Sequence, residues 1–114
     1  MIDVELVDKV NLLKAVYPCS TLSLDRTPLR NASVGGAKSS WHLIGKAIDL
    51  VFDTAAELIP AAIYARTLGF GGIEVDFRNL HLHLDMRPSI WHVVCTKDKT
   101  WTLDEYLTQY TESV

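Results

Sequence analysis

The segment Leu80-His81-Leu82-His83-Leu84-Asp85 holds the densest chemistry in this chain. It alternates apolar and ionisable residues, and a strand sends successive side chains to opposite faces. Leu80, Leu82 and Leu84 then face a core, while His81, His83 and Asp85 stand in a row on the other side. Imidazoles and a carboxylate on a rigid apolar backing can hold a divalent metal or move protons. A lone His-x-His would read as decoration of a solvated strand; the added carboxylate brings a metal site level with that reading.

A second segment complements the first. It runs Ser40-Trp41-His42-Leu43-Ile44-Gly45-Lys46-Ala47-Ile48-Asp49. With a strand over Lys46–Phe52, Ile48 and Leu50 face the core, and Ala47 and Asp49 face the opposite side. A carboxylate on an otherwise apolar strand needs a partner, because burying an uncompensated charge is costly. A lysine or a metal ion would serve. Gly45 permits a tight bend that returns His42 toward Asp49, and Ala47 leaves space beside it. Together the two segments supply two histidines and one carboxylate, a ligand set familiar for one catalytic zinc ion per chain, with the fourth position left for water. Such a zinc lowers the pKa of its water to about 7 and polarises a carbonyl, which is the chemistry of amide or ester hydrolysis.

The elements that must position these residues are legible in outline. Val7, Val10, Leu13 and Val16 recur about one helical turn apart, so Asp3–Tyr17 reads as an amphipathic helix with these four on its buried face, stopped by Pro18. Thr21–Leu24 alternates like a short strand. Asp25–Ser40 is loop-like, with one helical turn at Pro28. Asp53-Thr54 can cap a helix running to about Leu68 that starts late or kinks at Pro60 and ends at Gly69. Gly71-Gly72 opens a strand over Ile73–Phe77, and Arg78-Asn79 turns it into the strand Leu80–Met86. Ile90–Thr96 is a further strand, closed by a turn at Lys97-Asp98-Lys99. Thr102 and Glu105 have capping-box spacing for a last helix, Leu103 to about Thr111. The expectation is one α+β domain over residues 1–114, a small antiparallel sheet with flanking helices.

Composition narrows the function classes. The 114 residues are 48% hydrophobic with a net charge of -3, which fits one globular domain and argues against disorder. The basic residues are scattered, so no nucleic-acid partner is expected. No apolar stretch approaches the roughly 18 residues of a membrane span, so no stable membrane insertion is expected. Cys19 and Cys95 read as two free thiols rather than a disulfide framework. Met1–Glu5 carries no basic region followed by an apolar run, so synthesis in the cytoplasm without a signal peptide is expected. Composition leaves the oligomeric state open.

With these residues in view, the chain resembles the zinc D-Ala-D-Ala carboxypeptidases and related cell-wall peptidases, the LAS metallopeptidases with the hedgehog-like fold. The match is carried by Ser23, Arg26, Asn31, Gly35-Gly36, Ser40, His42, Gly45, Ala47 and Asp49, then by Gly71-Gly72 and His83-Leu84-Asp85 with Arg87 behind. It covers about residues 20–92. The resemblance implies that His42, Asp49 and His83 are the zinc ligands. It implies that Arg26 binds the substrate carbonyl or carboxylate, a task suited to its charged fork. By the same resemblance Ser40 hydrogen-bonds near the site or fixes the loop, and His81 stabilises the tetrahedral intermediate or passes a proton to the leaving amine. Asp85 would orient a ligand histidine. Trp41 and Trp91 read as packing rather than substrate platforms.

One position departs from the family. Many relatives place an acidic general base three residues before the last zinc histidine, and here that position is Leu80. Candidates to replace it are His81, Asp85, Glu74 and Asp76, with His81 first because it shares the ligand face of its strand. The activity implied is hydrolysis of an amide bond in peptidoglycan stem peptide by a zinc metallopeptidase of carboxypeptidase or endolysin type. Small members without a leader look phage-encoded, which would place the protein at the wall after release or in a phage particle. The competing readings are a weak or inactive module that binds cell-wall peptide on the same fold, and an assembly protein built on a retired peptidase fold.

Overall fold

The computed structural model describes residues 3–23 and 46–112. Helix α1, Val4–Val16, starts at Asp3, whose carboxylate accepts from the Leu6 N–H at 3.2 Å. Its buried residues are Leu6, Val10 and Leu13, while Val16 is exposed. This corrects the expected stripe. Val7 and Val16 are nine residues apart, and at about 100° per residue they lie on opposite faces of the helix.

Strand β1 is Ser20–Ser23 and β2 is Ala47–Val51. A 3₁₀ turn, Ala55–Glu57, then leads into α2, Leu58–Thr67. The helix starts late, as Pro60 suggested. That residue falls in the first turn, where its missing N–H costs nothing. The expected cap at Asp53-Thr54 is not made, because Thr54 contributes no side-chain hydrogen bond there. The C-terminus closes as foreseen. Gly69 adopts φ 89°, and the N–H groups of Gly69 and Phe70 donate to the Arg66 and Ala65 carbonyls.

Strands β3 (Gly72–Asp76), β4 (His81–Asp85), β5 (Trp91–Cys95) and β6 (Thr100–Thr102) complete a six-stranded sheet, and α3, Leu103–Glu112, follows. The sheet order is β1-β2-β4-β3-β5-β6. Its pairs are antiparallel except β3–β5, which is parallel, so the expected purely antiparallel sheet becomes a mixed one within an α+β fold. The cause is a crossing. The connection from β4 to β5 passes over the start of β3, where a β-carbon on Gly71 would lie 1.8 Å from the Arg87 carbonyl and 2.6 Å from that of Ser89. Only glycine lets that connection pass.

One face of the sheet is apolar. Ile48, Leu50, Ile73, Val75, Leu82, Leu84 and Val94 bury there with Leu6, Val10 and Leu13 of α1 and Leu58, Ala61, Ala62 and Ala65 of α2. The three alanines let α2 lie close to the sheet. Thr102 and Glu105 form the expected capping box at the head of α3, with reciprocal bonds of 3.1 and 2.9 Å. Among the described residues no helix is long and apolar enough to cross a membrane. Both cysteines are free.

Candidate functional site

The opposite face of the sheet carries the ionisable residues, and strand register sets their order. Asp49 of β2 pairs with His83 of β4, and His83 pairs with Glu74 of β3. One step along, Ala47 pairs with Asp85, and Asp85 with Gly72. One step the other way, Val51 pairs with His81, and His81 with Asp76. The alternation read from the sequence puts His81, His83 and Asp85 on this face, with Leu82 and Leu84 fully buried behind them. Leu80 lies before the strand. It has φ 57° and packs at the margin of the core.

His83 is held from both ends. Its Nδ1 lies 2.9 Å from Asp49 Oδ1 and its Nε2 lies 2.7 Å from Asp85 Oδ2. Burial alone would lower the His83 pKa, but the bonds and charges of Asp49 and Asp85 outweigh it and push it up to about 9. The imidazolium of the metal-free protein donates to both carboxylates. Asp49 therefore has this histidine as a partner.

Asp85 has no exposed surface, yet it is well satisfied. Its Oδ1 accepts from the Arg87 backbone N–H at 3.1 Å and from Arg87 Nε at 2.8 Å, and its Oδ2 accepts from the second guanidinium nitrogen at 2.6 Å. Burial would raise its pKa, but the His83 and Arg87 bonds win and hold the carboxyl well below the usual range. Space for the carboxylate comes from its flanking residues, Ala47 on one side and Gly72 on the other. The Arg87 guanidinium in turn sits 4.3 Å over the Trp91 ring, which meets the His83 ring in a T-shaped contact at a centroid distance of 6.3 Å. Trp91 is 36% exposed on this face while its ring packs against Arg87 and His83.

The remaining acidic groups differ in their commitments. Asp76 accepts from the Arg78 backbone N–H and side chain and from the Asn79 amide. Burial would raise its pKa, but those bonds bring it below the ordinary value. Glu74 Oε2 takes the weak Cys95 thiol donor at 3.5 Å. His92 is on the apolar side, where its Nε2 donates to the Phe70 carbonyl at 2.9 Å, so it is no candidate ligand.

Of the expected site residues, the fold brings together Asp49, His83 and Asp85, with His81 one step along β4. Arg26, Ser40 and His42 lie outside the described residues, as do Asn31, Trp41 and the turn expected at Pro28. Among the described residues no three His, Cys, Asp or Glu side chains form a metal cluster. The pair that is present fits a zinc ion by donor chemistry, one carboxylate oxygen and one imidazole nitrogen directed at each other. Two ligands of a tetrahedral zinc stand about 3.3 Å apart, so the observed 2.9 Å needs to open by only a few tenths of an ångström. The third ligand of the expected set is His42.

Arg87, Trp91 and Glu74 are the neighbours that sequence reasoning undervalued. Gly72-Ile73-Glu74-Val75-Asp76 carries the same two-residue alternation as β4, and that was the available signal for Glu74. The model of the Peptidase M15 family matches residues 2–85, a span that includes Asp49, His83 and Asp85. No curated protein matches the chain.

Proposed function

The chain belongs to the peptidase M15 family, and on that premise we propose that it is a zinc metallopeptidase that hydrolyses an amide bond in peptidoglycan stem peptides. The bond would be of the D-Ala-D-Ala carboxypeptidase or endopeptidase type. The observation that carries this reading is the Asp49–His83 contact across β2 and β4, backed by Asp85 on the far nitrogen of the same ring.

Asp49, His83 and His42 would hold the ion, which when bound supplies an acidified water and a polarised substrate carbonyl. Asp85 fixes the histidine for that purpose. By accepting the Nε2 hydrogen it leaves the Nδ1 lone pair of the neutral ring aimed at Asp49. Arg87 keeps Asp85 ionised and in place through its fork. Arg26 would bind the substrate carbonyl or carboxylate, with Ser40 beside it. His81 would stabilise the oxyanion that develops at the substrate carbonyl or protonate the leaving amine. The setting we propose is a phage-encoded lysis or virion-associated enzyme that reaches the wall after release or within a particle.

The second reading is a module that binds cell-wall peptide without cutting it. Leu80 favours it, because a leucine turned out of β4 cannot take a proton. Incubation of the purified protein with peptidoglycan, with bound zinc measured in the same sample and released fragments identified by mass spectrometry, separates the two. Zinc with defined fragments supports the peptidase and names its bond. Zinc with peptide binding and no fragments supports the module.

A further inference from the structure

The departure at Leu80 leaves the site without its expected proton acceptor. The ionisable side chains on the described face can be taken in turn. Asp85 is fully buried and takes four hydrogen bonds from His83 and Arg87. Asp76 is committed to Arg78 and Asn79. His81 sits one step off the Asp49–His83 row, between Val51 and Asp76. Glu74 is in the row itself, directly across β3–β4 from His83. Residues so paired have β-carbons about 4.5–5.5 Å apart. Asp49, His83 and Glu74 therefore stand side by side on three adjacent strands, facing the same way.

The surroundings of Glu74 suit the task. The side chain is half-buried. Among the described residues it makes no ion pair, and its one hydrogen bond there is from the Cys95 thiol to Oε2. Burial, with the Glu74 charge added, raises the Cys95 pKa above its ordinary value, so the thiol stays protonated and donates. A thiol is a weak donor, and Oε1 is left free to accept from water or substrate.

We propose that Glu74 is the general base of this enzyme, a carboxylate supplied from the neighbouring strand in place of the one that Leu80 lacks. This rests on the peptidase reading above. As the water oxygen bonds to the substrate carbonyl carbon, Glu74 takes the water proton. As the C–N bond breaks, Glu74 returns that proton to the amine nitrogen. His81 is then left to stabilise the oxyanion.

The test compares Glu74→Gln and Glu74→Asp with the unaltered protein for zinc per chain, affinity for a stem peptide ending in D-Ala-D-Ala, and fragment release from peptidoglycan. The expected result for Glu74→Gln is unchanged zinc content and peptide affinity with turnover lower by about 10²–10⁴-fold. Glu74→Asp, which keeps a carboxylate on a shorter arm, should recover part of that loss. Near-normal turnover of zinc-loaded Glu74→Gln would overturn the assignment while leaving the peptidase reading intact. Loss of zinc from Glu74→Gln would also overturn it, by making Glu74 a ligand. An unaltered protein that binds zinc and peptide yet releases nothing would overturn the peptidase reading, and the assignment with it.

Discussion

Gly72 and Asp85 face each other across β3 and β4, and a β-carbon on Gly72 would fall 2.1–2.2 Å from the Asp85 carboxylate. The carboxylate cannot retreat, because Arg87 and His83 grip both its oxygens. Gly72→Ala should therefore destabilise the fold by about 1–3 kcal/mol, the usual cost of overfilling a packed site. Urea unfolding of the two proteins measures this. An unchanged midpoint would show that the Asp85 network yields more easily than its bonding suggests.

Asp85→Asn tests the support behind His83. The amide keeps the shape but loses the charge that holds the Nε2 hydrogen and the Arg87 fork. Zinc affinity should fall about 10–100-fold, the typical cost of losing a partner behind a ligand histidine. Competition with a chromophoric chelator reads the change directly.

The metal-free protein should weaken as pH rises. The folded His83 pKa is pushed up to about 9 from an ordinary 6.5. A raised pKa contributes stability that is complete below about 6.5 and is lost on the way to about 9. Unfolding midpoints of the chelator-treated protein between pH 6 and pH 9.5 should fall across that window. His83→Gln should flatten the profile.

How far the sequence led is clearest on β4. Its strict alternation gave the strand, its buried leucines and its ionisable face, because a half-buried strand has one dominant period. The capping box at Thr102 and Glu105 was equally legible, since two side chains and two backbone groups satisfy one another locally. Less local features were hidden. The direction of β5 follows from a chain crossing at Gly71, which the sequence marks only as one of two adjacent glycines. Strand β6 is three residues long and carries no period of its own. The α1 stripe failed because a three-residue spacing drifts around a 3.6-residue helix. At the site, Asp49 and His83 were found by type and spacing. The links from Asp85 through Arg87 to Trp91 depend on side-chain geometry that no pattern encodes.

Thr102→Ala separates stability from the site. It removes the oxygen that accepts the Glu105 N–H at 3.1 Å and should cost about 1 kcal/mol. Zinc content should stay unchanged, because α3 supplies none of the proposed ligands. Thermal unfolding together with metal analysis checks both halves.

The central claim is that Asp49 and His83 are two of the ligands of one zinc ion. Its most direct test is zinc per chain, measured after zinc is offered and the excess removed, for the unaltered protein and for His83→Ala. The account predicts one zinc per unaltered chain and none retained by the variant. Full occupancy of His83→Ala, or no zinc in the unaltered protein, would contradict it.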